Sequence, residues 1–505
     1  MTKTNYLNKK IKIAYLPLDE RPCNYKYPEL ALKGSKRAEL ITIERSALGL
    51  GKVSGDYGKI KNFVLSSAKI ADALVISLET LLYGGLFPSR LHNLSGDEIL
   101  NRLNLVTQVK EINPAIKIYA FTLIMRCPTY TSSAEEPDYY GVSGREIFLS
   151  GVNRHKYSTG EIGEDEYIKT EKELIGKIGE ENLKDYVLRR EKNLSAIFEA
   201  LKLNGKVFDE LVIPLDDSNP YGYTAMDKKR VADFIEKNGL KPVMSYPGAD
   251  EVGLTLISRC LTEAFGIQPK IHPVYSSSEA KNVVPLYEDR AVSETVAAQI
   301  KACGAVYEEN ADKADLILLL NVPEFKQREA RFPSYREYRK RDLTQLYTAM
   351  RTLFKKRKSI IVADNGYANG GEAEYVKKAF RLCSPISYAG WNTDSNTLGT
   401  AIAAAIYKKY FGGDVSGEFF ANRVVEDICY QTYARWKTKE ILPRLNVSYD
   451  DIALSEANVR KYALKKVRAF FKKHFKKLDK RFSVVDIAFP LSRLFECDVT
   501  VKRIK

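Results

Sequence analysis

Residues 211–223 read LVIPLDDSNPYGY, an apolar run that ends on two adjacent carboxylates, Asp216 and Asp217, before a turn-forming SNPYG. Carboxylates this close resist joint ionisation, so one of them is pushed toward its protonated form. Successive side chains of a strand point to opposite faces, which lets the two acids take different jobs at one strand end. Glycosidases need two carboxyl functions in different protonation states. In the substrate-assisted variant, the first acid orients an acetamido group that attacks the anomeric carbon, and the second protonates the leaving oxygen. Asp217 is then the acid, raised by burial and by its neighbour, and Asp216 the polariser. The competing reading is that Asp217 or Ser218 caps the following helix.

Five further clusters have the same character. LDERP (18–22) offers Asp19, Glu20 and Arg21, with Asn24 just after. SLETLLYGGLFPSR (77–90) offers Glu79, Tyr83, two glycines that let backbone approach a ligand, and Arg90. PGADEVG (247–253) offers Asp250 and Glu251. ADNGYANGG (363–371) offers Asp364, Asn365 and Asn369. YAGWNTDSNTLGT (388–400) offers Trp391, Asn392, Asp394 and Asn396. Each is also ordinary turn chemistry, because Gly, Asn and Asp dominate turns. Arg126 and Tyr221 join the candidates, the arginines as planar forks for hydroxyls or an anionic group. Trp391, one of two tryptophans, is a candidate platform for a sugar face, against the alternative of a Trp sealing a sheet edge.

Other chemistries find less support. Four histidines without HxH or HExxH spacing give no zinc signature. No GxGxxG or GxxxxGK[ST] is present, so no cofactor is predicted. A divalent cation held by Asp216, Asp217, Asp250 or Glu251 stays open, since oxygen-ligand sites leave little spacing signature.

These clusters need elements that bring them together. Apolar runs at 11–22, 71–85, 116–126, 211–217, 242–253, 314–324, 359–371 and 386–396, with LITI at 40–43, alternate with helical stretches. That rhythm predicts an α/β fold of βα units with parallel sheets, whose ligand site lies at the carboxyl ends of the strands. A TIM-barrel-like domain is expected over 1–268, a second, Rossmann-like α/β domain over 269–412, and a mainly helical basic region over 413–505. TSSAEEPDYYG (131–141) reads as a long loop, either a lid or a surface insertion.

The bulk composition bounds the function. A chain of 505 residues, 45% hydrophobic and 28% charged, is ordinary for a globular protein with a sizeable core. Much of the net charge of +15 lies in KYALKKVRAFFKKHFKKLDKR (461–481), which has apolar residues at helical spacing. This predicts a docked amphipathic helix with a basic outer face, the alternative being an anionic surface or polymer as its partner, and the concentration of charge there argues against nucleic acid as the main partner. Seven scattered cysteines without CxxC argue against a disulfide framework. With no apolar leader and no run of transmembrane length, the expected setting is the cytoplasm.

Together LPLDERPCN, SLETLLYGGLFPSR, IPLDDSNPYG, PGADEVG, ADNGYANGG, YAGWNTDSNTLGT and the late FPLSRLFECDV (489–499) resemble a bacterial family catalogued as domain of unknown function 4127. The motifs occur in order from about residue 11 to 500. FPLSR stands where the family pattern carries a tryptophan-bearing PWxR, and SLETL where an aspartate is common. The resemblance implies no activity. The residues themselves point to a carbohydrate hydrolase acting on a small-molecule or oligosaccharide substrate. A metal-assisted hydrolase or lyase and a non-catalytic sugar or anion binder are the alternatives.

Overall fold

A computed structural model describes residues 10–504. The amino-terminal segment read for a leader lies partly outside the described residues. The first half forms β1 (Ile11–Leu16), β2 (Ala38–Thr42), β3 (Ala73–Ser77), β4 (Lys117–Phe121) and β5 (Glu210–Val212). All pair in parallel, in the spatial order β2-β1-β3-β4-β5. Every side chain of β3 is buried, as continuous apolar strands covered on both faces require. Past β5, Ile213 and Leu215 donate to the carbonyls of Met244 and Tyr246, so residues 244–247 extend the sheet outward.

The expected barrel is replaced by an open sheet. Among the described residues β2 pairs only with β1, and the strand order reverses between β1 and β3, so the sheet is open rather than closed on itself. The reversal creates a crevice at the carboxyl ends of β1 and β3, the place where such sheets hold ligands.

The second half continues with β6 (Lys270–Tyr275), β7 (Val306–Tyr307), β8 (Leu316–Leu320), β9 (Arg328–Glu329), β10 (Ser359–Ala363), β11 (Tyr367–Ala368) and β12 (Ser387–Ala389). Five of these form a parallel sheet in the order β7-β6-β8-β10-β12, and β9 pairs with β11. Strand by strand, this is the arrangement of the first sheet, so the chain uses one doubly wound topology twice.

Helix Val252–Ala264 packs on β1, β3 and β4, and also against helix Asp394–Ile406, which lies on β10 and β12. One apolar core therefore runs from Ile13 and Tyr15 through Leu256 and Ile402 to Leu318 and Ile361. The carboxyl ends of both sheets border one cleft. The last ninety residues are largely helical. They close with the antiparallel pair β13 (Phe482–Ala488) and β14 (Asp498–Arg503). The basic helix Glu456–His474 docks as its spacing predicts: Val459, Ala463, Val467, Phe470 and Phe471 enter a core shared with β13 and β14. No described helix is long and apolar enough to cross a membrane.

Candidate functional site

The cleft between the halves has a volume of about 380 Å³. β5 and its extension deliver Asp216 and Asp217, and the segment after residues 244–247 delivers Asp250. β1 ends toward Arg21, and the two short helices after β3 end on Arg90. β4 leads to Arg126 and to a loop, 127–139, that carries Glu135. From the second half come Glu329, Asn369 and Asn392, and from the carboxyl-terminal region Arg435, Trp436, Lys439 and Arg493. Gly84 and Gly85 make the turn toward Arg90 at φ of 87° and 141°. A Cβ on Gly84 would lie 2.7 Å from the amide nitrogen of Gly55, which explains the glycine there.

The paired aspartates do not cap a helix. The next helix, Tyr223–Lys237, starts from Gly222 without a side-chain cap. Asp217 takes a φ of 30°, a conformation that side chains rarely adopt and that clusters at functional sites. Arg90 Nη2 donates to Asp216 Oδ2 at 2.6 Å, and Arg126 Nη1 to Asp217 Oδ2 at 3.0 Å. The other oxygen of each takes no hydrogen bond from the described residues. Their side chains keep 15% and 21% of their surface exposed. Burial pushes the Asp217 carboxyl up to about 6. Arg126 opposes that rise, and the neighbouring Asp216 adds to it.

Arg21 anchors a second group. Its Nε donates to Asp19 Oδ2 at 2.8 Å and its Nη2 to Asp250 Oδ1 at 2.5 Å. Asn24 Nδ2 bridges Asp19 and Asp250 at 2.8 and 3.0 Å, and Asn392 Nδ2 reaches Asp250 Oδ2 at 3.1 Å. Burial raises Asp250 to about 6, with Arg21 pulling it down and Asp19 pushing it up. Asp19 and Asn24 thus position Arg21 and Asp250 from behind the cleft wall.

Glu135 joins three arginines. Its Oε2 accepts from Arg126 at 2.7 Å and Arg90 at 3.2 Å, and its Oε1 from Arg493 at 2.6 Å. These cations hold it well below the usual carboxylate range although burial works the other way. Among the described residues, no three His, Cys, Asp or Glu side chains converge as a metal site would need.

A family model described as "Protein of unknown function (DUF4127)" matches residues 13–500, nearly the whole chain. The chain belongs to this family. No curated protein matches it. The matched span carries every cleft arginine from Arg21 to Arg493.

Nine of the sequence candidates line the cleft: Arg21, Arg90, Arg126, Asp216, Asp217, Asp250, Asn369, Asn392 and Asn396. The others are elsewhere. Glu79 is buried beneath it, accepting from Thr122, Leu123 and Ser77, and burial raises it to about 7. Tyr83 stacks on His92 beside it. Glu20 accepts from the Gly51 amide at 2.7 Å. Glu251, Asp364, Asn365 and Asp394 are engaged inside the fold, with Gln299, Asn321 and Gln327 among their partners. They satisfy buried backbone and amides, which is why acids sit there. Tyr221 lies outside on the surface, donating to Glu161. Trp391 is 8% exposed, bonds Thr400 through its indole N–H, and meets Tyr27 edge-on, which favours the packing alternative over the sugar platform.

Sequence reasoning missed the cleft's aromatic wall of Tyr130, Tyr287, Trp436 and Tyr449, and the charges of Glu135, Glu329, Arg435, Lys439 and Arg493. A signal existed for two of them. Arg493 closes the FPLSR motif, and Glu135 stands in the stretch read as a long loop, either a lid or a surface insertion.

Proposed function

We propose that the protein is a carbohydrate hydrolase that cleaves a glycosidic bond in this cleft, acting on N-acetylated sugars with Asp217 as general acid and Asp216 as polariser. The observation that supports the reading is a pair of adjacent acids at one strand end that face the cleft, Asp216 held by Arg90 and Asp217 by Arg126, each with one oxygen free of protein hydrogen bonds. Burial raises Asp217 to about 6, in keeping with a general acid.

In the proposed reaction the free oxygen of Asp216 accepts the acetamido N–H. The acetamido oxygen attacks the anomeric carbon, the bond to the leaving oxygen breaks, and Asp217 gives that oxygen its proton. Water then adds to the anomeric carbon of the cyclic intermediate, opening it, and the Asp217 carboxylate takes the water's proton. Tyr287 and Trp436 on the cleft wall offer faces for a sugar ring. The unpaired state of all seven cysteines supports a reducing, cytoplasmic setting.

The test is nitrophenol release from a panel of aryl glycosides, N-acetylhexosaminides included, by wild type and Asp217→Asn, with and without chelator. Turnover that the substitution lowers by roughly 100-fold or more, and that the chelator spares, supports the acid pair. Because the acid must be protonated, kcat/KM should fall as pH rises through about 6. Loss of turnover in chelator would favour metal-assisted hydrolysis instead. A second reading, a non-catalytic sugar or anion binder, is favoured by the density of arginines paired to carboxylates between two halves. Tight binding without turnover would select it.

A further inference from the structure

We infer that Arg90, Arg126 and Arg493 form a subsite for a carboxylate on the ligand, which the chain's own Glu135 occupies when no ligand is bound. The three guanidiniums come from separate segments: the turn after β3, the end of β4, and the stretch between β13 and β14. They are 1%, 8% and 7% exposed, so the cradle is built into the fold. Arg90 and Arg493 also sit 5.6 Å from the centroid of Phe87, whose buried ring forms a common floor. The occupant they close on is planar and two-oxygened, with one oxygen held by Arg493 and the other by Arg90 and Arg126. Arginine forks match that geometry.

The charge count makes entry an exchange. Glu135, Glu136, Asp216, Asp217 and Glu496 already pair with these three arginines. A further anion added to that set would meet net repulsion, whereas one replacing Glu135 leaves the charge unchanged. Glu135 is the member able to leave. It lies on a segment without helix or strand, beside Tyr130, which is 46% exposed. Glu136 stays, since it is 1% exposed and its Oε1 accepts from both Arg90 and Arg126. With the reading above, on which only the sugar part rests, the substrate class is a sugar bearing a carboxylate.

The experiment measures thermal unfolding of wild type and Glu135→Ala with glucuronate, glucose or inorganic phosphate, at ionic strength held constant with chloride. Expected is a saturable rise of several degrees for the variant with glucuronate, a smaller one for wild type, and none with glucose. A larger response to phosphate overturns the carboxylate assignment. A response no greater than that to chloride makes Glu135 a structural strap and overturns the subsite. Should the variant fail to fold, chymotryptic cleavage after Tyr130 in the wild-type chain reads the same exchange. Glucuronate, unlike glucose, should speed it several-fold, and no change overturns the inference. Neither readout requires turnover, so this inference and the hydrolase reading fail separately.

Discussion

Glu251→Gln should stabilise the protein above neutral pH and leave it unchanged near pH 5. Glu251 is fully buried where helix Val252–Ala264 begins. Its Oε1 accepts from Gln299 at 2.6 Å and its Oε2 from the Ala249 amide at 3.0 Å, with no basic partner in an ion pair among the described residues. Burial raises its carboxyl from 4.5 to about 8, and the hydrogen bonds recover only part of that. The unfolded chain gives up this proton near 4.5, while the folded chain keeps it to about 8. Between those values the unfolded state binds fewer protons, so stability falls as pH rises and the loss is complete above about 8. At ~1.4 kcal/mol per unit, the window is worth on the order of 5 kcal/mol. Glutamine removes the titration and keeps the shape: its oxygen can still accept from the Ala249 amide, and a flip of the Gln299 amide turns that residue's unpartnered Oε1 toward the new NH2. Denaturant unfolding of both proteins at pH 5 and pH 8.5 checks this. The curves should coincide at the lower pH and separate by several kcal/mol at the higher. A gap independent of pH, or a variant less stable at pH 8.5, would mean that Glu251 is ionised in the fold and that the burial argument fails.

Two further substitutions probe packing around the cleft. Arg423→Met should cost about 3–5 kcal/mol, because it strands the buried Glu426 and Asp427 and removes a guanidinium 3.7 Å from the Tyr27 ring centroid; a loss below about 1 kcal/mol in denaturant unfolding would contradict that. Trp391→Ala should cost about 3–5 kcal/mol of stability while leaving glycoside or glucuronate affinity nearly unchanged, since the indole is packed on Tyr27 and lies outside the main cleft. A large change in affinity at constant stability would restore the platform role.

What the sequence determined is local. Short, mainly apolar runs such as ALVIS and LILLL, β-branched or leucine-rich and bounded by polar or turn residues, suit strands covered on both faces, so the βα rhythm and the parallel sheets were legible in the sequence. The strand ends followed, and with them the cleft-lining Arg21, Arg90, Arg126, Asp216, Asp217, Asp250, Asn369, Asn392 and Asn396, because such folds open their crevice there; the same rule also picked Glu79, Asp364, Asn365 and Asp394, which the fold buries. The basic carboxyl-terminal helix was legible for the same reason: its spacing already fixed one apolar face. Strand order was not local. Whether the sheet closes into a barrel depends on β2 pairing outside β1 and on β3 taking β1's other side, a choice among distant partners with equally apolar sequences. The same order in both sheets could be seen only once they had formed. Charge pairing was likewise tertiary. Composition marks Glu79, Asp216 and Glu251 alike as acids, but only the fold buries Glu79 and Glu251 with uncharged partners and leaves Asp216 open to the cleft. Arg493 meets Glu135 across 358 residues of chain, a contact that no spacing rule reaches, because it exists only where three separate segments pack around one aromatic floor.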